Sequence, residues 1–416
     1  MGIREPAADI PRQHARLSVC LLLVLCCMVL AGAVHGQEAR PAEAAASPRV
    51  AISLLTIGPG EPYFERFGHN AIVVRDPATG RALAYNYGLF DFEEADFFWN
   101  FARGRMRYRI AAGWLDDDLA MYRAEGRSIT EQHLDLTDAQ ADALAAFLAW
   151  NARPENAWYR YDYFTANCST RVRDALDEAL GGALRHQSEG RSRGYTYRLD
   201  ALRLMAPQPA LMLLIDLGLG PFADQRIDFW RESFVPMTLQ EVVAGMHRDD
   251  GSPLVGATEE LAPNHVTEPP LLPPDLRVPF LLLGLGIGVG LWWCGRPAAE
   301  APRRIVAAFA TVFELACGLG GLLLLFLWLG TEHQAAWRNE NLLLLNPLCL
   351  LLLPAWLWRR PPLWVVALAW LVLLGAAFAL FSKILPWFVQ ANAHWIFLLL
   401  PIHIALALDL VRRRRS

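Results

Sequence analysis

Between Cys27 and Cys294 the chain carries a single thiol, Cys168. That scarcity excludes a disulfide framework for the whole central segment, because one cysteine has nothing there to pair with. A charge excess of the kind that recruits polyanions is also missing. The formal net charge is −4, which excludes nucleic acid as a partner. No small residue precedes Cys26 or Cys27 in the manner of a lipobox, so the chain does not read as a lipoprotein itself.

Apolar residues make up 54% of the 416 positions and are spread unevenly. Arg4, Arg12 and Arg16 precede an apolar run, Leu17 to Leu30, and small residues continue through Gly36. Residues 1–36 therefore read as a secretory signal, either cleaved or kept as an anchor, and the chain beyond Gly36 is exported. Residues 37–48 form an Ala-, Glu- and Pro-rich linker. From Val50 the pattern becomes globular, and 49–248 is expected to form an exported domain.

Within that domain Val50–Ile57 reads as a strand, and His69–Val74 with Ala82–Leu89 reads as a hairpin around the turn-forming DPATG. Residues 137–151 have an amphipathic helical pattern, and 196–248 look largely helical, broken at prolines. Residues 249–277 carry six prolines and are expected to form a linker. Beyond it, 278–293, 305–329, 342–358, 363–381 and 395–411 are each near the length that crosses hydrocarbon. Nine arginines (Arg296, Arg303, Arg304, Arg359, Arg360 and Arg412 to Arg415) fall on one side of these spans, and only Arg338 and Lys383 on the other. By the positive-inside rule the basic tail, 412–416, is cytoplasmic and the front of the first span lies outside. The signal segment and the charge bias give the same topology independently.

The chemistry centres on YRYDYFTANCSTRVRDALDEAL, residues 159–180. Asn167 reads as a helix N-cap, and Val172, Leu176 and Leu180 repeat at helical spacing behind it. Cys168 then occupies the first helical position, where free amides and the macrodipole favour a thiolate. A small apolar residue closing a helix start would look the same locally. The solitary status of the thiol favours a nucleophile, since an unused thiol is a liability in an oxidising compartment. A nucleophilic cysteine needs a base, and His69 is the histidine that opens an apolar strand. If the hairpin turns between Pro77 and Ala78, Asn86 lies opposite His69 and orients it; a half-step shift puts Tyr87 there instead.

These residues amount to a resemblance. FGHNAIVV followed by NCSTRVRDAL resembles the circularly permuted branch of NlpC-type papain-like enzymes, in which the strand histidine precedes the helix cysteine. YNYGLFDFEEADFFWNFARGRMRY and GLGPFADQ…FWRESFVP are similar to the Lnb-type bacterial lipoprotein N-acyltransferases. The resemblance implies an α+β, permuted papain-like exported domain followed by an all-α domain of five transmembrane helices in the inner membrane. It implies Cys168 as nucleophile and His69 as base; Asn167 and Ser169, at the helix start beside the thiol, are expected to serve as helix cap and oxyanion support. It implies a phospholipid or diacylglyceryl lipoprotein as acyl donor, the N-terminal cysteine of a lipoprotein as acceptor, and no cofactor. The main rival is a membrane-anchored Cys–His hydrolase, against which the number of spans argues. Asn341, Asn346, Asn392, His394 and His403 are polar residues at or near membrane depth. They read either as a lipid-contacting site, above all Asn341, Asn346 and His394, or as hydrogen bonds holding the bundle.

Overall fold

The computed structural model describes residues 50–90, 96–296 and 300–415. The expected signal segment and the 37–48 linker lie outside the described residues.

In chain order the first part comprises β1 (Ala51–Ile57), β2 (His69–Arg75), β3 (Ala82–Leu89), α1 (Phe97–Ala102), β4 (Arg107–Trp114), α2 (Leu115–Ala124), β5 (Ile129–Leu134), α3 (Asp138–Asn151), β6 (Trp158–Arg160) and α4 (Cys168–Ala179). Next come helices α5 (Ala183–Ser188), α6 (Tyr197–Met205), α7 (Pro209–Gly218), α8 (Phe229–Glu232) and α9 (Pro236–Ala244), then β7 (Val255–Ala262). The strands form one antiparallel sheet in the order β6-β4-β3-β2-β1-β5-β7.

Pleating sends alternate side chains to opposite faces, and the two faces differ in bulk. Leu54, Ile72, Tyr85 and Tyr87 pack against Leu144 and Leu148 of α3, Val172 and Leu176 of α4, and Leu239 of α9. On the other face Ala71, Val73 and Ala84 meet Leu115, Leu119 and Tyr122 of α2. Small residues on the sheet let α2 lie close above the hairpin.

Residues 255–262, expected in a linker, are instead the edge strand β7. The sequence VGATEELA buries only its last residue. With one face in solvent and little to bury on the other, such a strand has no apolar periodicity to read. The prolines that suggested a linker flank it.

The second part contains α10 (Arg277–Cys294), α11 (Glu300–Leu329), a 3-10 segment Pro347–Leu357, α12 (Leu363–Phe381) and α13 (Ala393–Arg415). It has five stretches long and apolar enough to cross a membrane. Leu282, Leu323, Leu371 and Leu374 point outward and are more than half exposed, while Glu314, Asn341, Asn392 and His403 are buried inside. Apolar outside and polar inside inverts the pattern of a water-soluble protein and fits a lipid solvent. The third span is no α-helix: Pro354, inside it, removes an amide that an i to i−4 ladder needs. Gly284 and Gly288 bring α10 onto α13; a Cβ at either would sit 2.5 or 2.9 Å from a backbone carbonyl oxygen of that helix.

The two parts are joined by hydrogen bonds rather than by a free tether. The C-terminal carbonyls of α7 have no partners within their own helix. Asn339 Nδ2 donates to Leu217 and Gly218 O (2.9 and 3.0 Å), Asn341 Nδ2 to Leu217 O (3.1 Å) and Gln390 Nε2 to Leu219 O (3.0 Å). Asp216 Oδ2 accepts from His394 Nε2 (2.5 Å) and Trp395 Nε1 (2.7 Å), while its Oδ1 accepts from Arg198 (2.6 Å). Buried bonds of this kind contribute roughly 1 kcal/mol each, so the set fixes the domain firmly over the helices.

Candidate active site

Helix α4 starts where the sequence places it. Asn167 Oδ1 accepts from Thr170 N (2.9 Å), and Thr170 Oγ1 accepts from Asn167 N (2.8 Å), closing a capping box. The Asn167 amide also donates to Phe234 O (2.8 Å), which ties the helix start to the α8–α9 segment. Ser169 Oγ lies 2.7 Å from Asn70 Oδ1 and 2.6 Å from Ser233 O, locking α4 to β2. Asn167 and Ser169 are therefore supports whose side chains are already engaged.

The hairpin register differs from the expected one. Ala71, not His69, pairs with Asn86. The reason lies in the turn: Asp76 Oδ1 accepts from Ala78 N (2.9 Å) and Asp76 Oδ2 from Thr79 Oγ1 (2.8 Å), which moves the tip one residue later. Each pairing sum rises by two. A shift of two keeps side chains on their face, so Asn86 still shares a face with His69, now as its diagonal neighbour. Asn86 Oδ1 stands 2.9 Å from His69 Nε2. Tyr87 faces the other way, where its hydroxyl donates to Asn151 Oδ1 (2.7 Å).

A third residue, Asp118 of α2, settles the proton positions. Asn86 Nδ2 donates to Asp118 Oδ2 at 2.7 Å. An ionised carboxylate only accepts, so the Asn86 amino group faces Asp118 and its oxygen faces His69. His69 Nε2 then carries the proton, and Nδ1 is left with the lone pair. The sequence offers no clue to this role, because Asp116, Asp117 and Asp118 together read as ordinary acidic residues in a first helical turn.

Cys168 and His69 both lie at the N-terminal end of β2. The β2–β3 ladder stops at Ala71–Asn86, so Asn70 N–H is free to point at Cys168 Sγ, as do the amides of Cys168 and Ser169. Gly88, with φ +95°, makes room: a Cβ there would lie 3.3 Å from Cys168 Cβ. His69 comes from the α2 face and Cys168 from the α4 face. Tyr122 adjoins both, its ring centroid 6.3 Å from that of His69 and its hydroxyl within electrostatic reach of Cys168. A direct Cys168–His69 hydrogen bond is not among the contacts of the described residues.

Electrostatics correct one expectation. Burial pushes the Cys168 thiol up, against the lowering by three amides and by Arg127, so the resting group is a thiol and not a thiolate. Burial also holds the His69 pKa down, to about 4, with the Asn86 bond opposing and Arg127 adding to the effect. The pair rests neutral. Arg127, itself buried, donates to Gly58 O (2.9 Å) and lies over the Tyr122 ring at 5.0 Å. The Tyr159 hydroxyl is buried without a hydrogen-bond partner among the described residues, and burial first, then Cys168, raise its pKa, so it stays a donor.

Asn341, Asn346 and His394 lie in the helical part and are engaged there. Asn341 and His394 hold the junction described above, Asn341 also accepts from Asn392 Nδ2 (2.8 Å), and Asn346 Oδ1 accepts from Leu348 N (3.0 Å) to cap the 3-10 segment. Their bonds are those of a packed bundle. Among the described residues no group of His, Cys, Asp and Glu is placed to hold a metal ion.

Two family models match the chain: the Lnb N-terminal periplasmic domain over residues 37–208, and the Lnb transmembrane domain over residues 270–414. No curated protein and no solved structure matches it.

Proposed function

This chain belongs to the Lnb family of lipoprotein-processing membrane proteins, and on that premise we propose that it is a cysteine-dependent N-acyltransferase. The observation that carries the reading is the relay Asp118–Asn86–His69 at the same end of β2 as a lone thiol at a helix start, whose sulfur the Asn70 amide points at. In the first half-reaction Cys168 Sγ attacks the carbonyl carbon of a lipid ester while His69 Nδ1 takes its proton. The C–O bond breaks, the leaving alkoxide takes the proton back from His69, and the acyl group remains as a thioester. In the second, the α-amine of a lipoprotein's N-terminal cysteine attacks the thioester. The C–S bond breaks, and a proton from the amine returns through His69 to Sγ. The amides of Cys168, Ser169 and Asn70, which point at Sγ, would stabilise each oxyanion, and the buried, unpartnered Tyr159 hydroxyl is a further candidate donor.

Neutral partners suit this sequence of steps. A buried thiol wastes no thiolate on water or oxidants, and charge separation arises only when an ester carbonyl is present to receive the attack. The acyl donor is a phospholipid or diacylglyceryl lipoprotein of the outer leaflet, and the C-terminus is cytoplasmic; a reporter fused after Ser416 should report cytoplasm and one near Pro253 the periplasm, and the same side for both would overturn the topology.

The deciding experiment is mass spectrometry of lipoprotein N-termini from cells with and without the protein. An amide-linked acyl chain that depends on the protein is expected. Unchanged N-termini with protein-dependent release of free fatty acid would make water the acceptor and the protein a hydrolase.

Asp118→Asn tests the relay. An asparagine there can donate as well as accept, so the Asn86 amide is no longer forced to present oxygen to His69. Transfer is expected to fall roughly 10- to 100-fold, short of the cost of losing the base. The Nε2–H tautomer signal of His69 in nitrogen NMR should weaken with it. A lowered rate with an unchanged tautomer would reduce Asp118 to a packing role.

A further inference from the structure

Helix α1 has the sequence FFWNFA, and Phe98, Trp99 and Phe101 are 75%, 55% and 44% exposed. Three exposed aromatics within four residues make an apolar patch that water does not favour. The patch has a definite height. Glu332 N donates to Arg103 O (2.8 Å), and His333 Nε2 lies 3.0 Å from Phe101 O. Glu332 stands three residues beyond Leu329, the last residue of α11, which is itself 75% exposed. Three residues reach at most about 10 Å. The headgroup layer on one side of a bilayer is roughly 5–8 Å thick. The C-terminal end of α1 therefore lies at that layer, continuous with the lipid-facing side of α11. Cations accompany it: Arg103 lies over the Trp99 ring at 5.1 Å, and Arg105 and Arg160 both pair with Glu332. Aromatic rings with basic neighbours are what a membrane–water interface selects.

The patch is connected to the nucleophile. The Phe97 ring is 6.0 Å from Phe90, Phe90 is 5.3 Å from Tyr108, and Tyr108 stacks on Tyr161 at 4.2 Å. The Tyr161 hydroxyl is within electrostatic reach of Cys168. An unbroken run of rings thus leads from the membrane end of the domain to the thiol.

We propose that α1 is seated in the outer leaflet and that its exposed rings, continued through Phe97 to Tyr161, guide an acyl chain of a leaflet lipid to Cys168. The occupant is a lipid acyl chain and not a protein segment, because the patch continues the surface that the spans present to lipid. The track rests on the acyl-transfer reading; the seat in the leaflet does not.

The full chain in nanodiscs of phosphatidylethanolamine and phosphatidylglycerol, with bromines near the headgroup end of the acyl chains, tests the seat. The fluorescence lost in Trp99→Phe relative to the native protein should be quenched by the brominated lipid; an unquenched difference overturns the seat. For the track, thioester formation on Cys168 is compared between a bilayer phospholipid and a short-chain water-soluble ester in F98S/W99S/F101S. The ratio of the two rates should fall roughly tenfold, since the lost apolar contact serves only the lipid donor. An unchanged ratio overturns the track, whether both rates hold or both collapse together. A short ester that works while an added apolar peptide, and no lipid, restores quenching and rate would make the patch a protein-docking face. If the native protein forms no thioester from either donor, acyl transfer fails and the track with it, and quenching still decides the seat.

Discussion

Cys168→Ser is expected to lower acyl transfer by roughly 10⁴-fold or more while the fold persists. The substitution is nearly isosteric, and the capping box that starts α4 uses Asn167 and Thr170, not the thiol. The difference lies in the proton. His69, with its pKa held at about 4, is a weak base even toward a thiol, and an alcohol is a far weaker acid. A serine there cannot be activated by this imidazole. The measurement is the mass of the acyl-enzyme after incubation with lipid, with thermal unfolding as the check on folding. Near-normal turnover by the serine protein would remove Cys168 from the mechanism.

His69→Ala is expected to cost roughly 10²–10⁴-fold, since both half-reactions pass a proton through Nδ1. The pH profile carries a sharper signature. Burial and Arg127 disfavour the imidazolium, so His69 remains a base until the pH falls to about 4. Activity should therefore stay level through mildly acidic pH and drop only as the pH passes through about 4; an ordinary histidine would drop near 6.5. An acid limb near 6.5 would mean that the imidazole is solvated during turnover or is not the base. Asn86→Ala should hurt more than Tyr87→Phe, because Tyr87 points away from His69 and its hydroxyl donates to Asn151 on the far face.

The parts of this site legible in the sequence were those written locally. A cap, a helical repeat and a solitary cysteine fall within fourteen residues, and His69 opens a continuous apolar strand. The hairpin was legible but its register was not, because Asp76 binds Ala78 and Thr79 through its side chain and moves the tip. The face was still right, since an error of two preserves parity. Asp118 was hidden, being 32 residues from Asn86 and one of three adjacent acids. The resting charge state was misread for a related reason: the helix start argues for a thiolate, but the desolvation that overrides it depends on walls supplied by α2 and β2. β7 escaped notice because an edge strand with so little to bury leaves no pattern.

The junction beneath α7 also sets how the enzyme searches. Asn339, Asn341, Gln390, His394 and Trp395 grip the end of that helix, so the nucleophile cannot swing out to collect substrates from the bulk. On the acyl-transfer reading, both reactants reach it by lateral diffusion. Its turnover is then a two-dimensional encounter problem, governed by the mole fraction of donor in the leaflet. Diluting the donor with inert lipid should slow the reaction at constant total donor, whereas adding water should not.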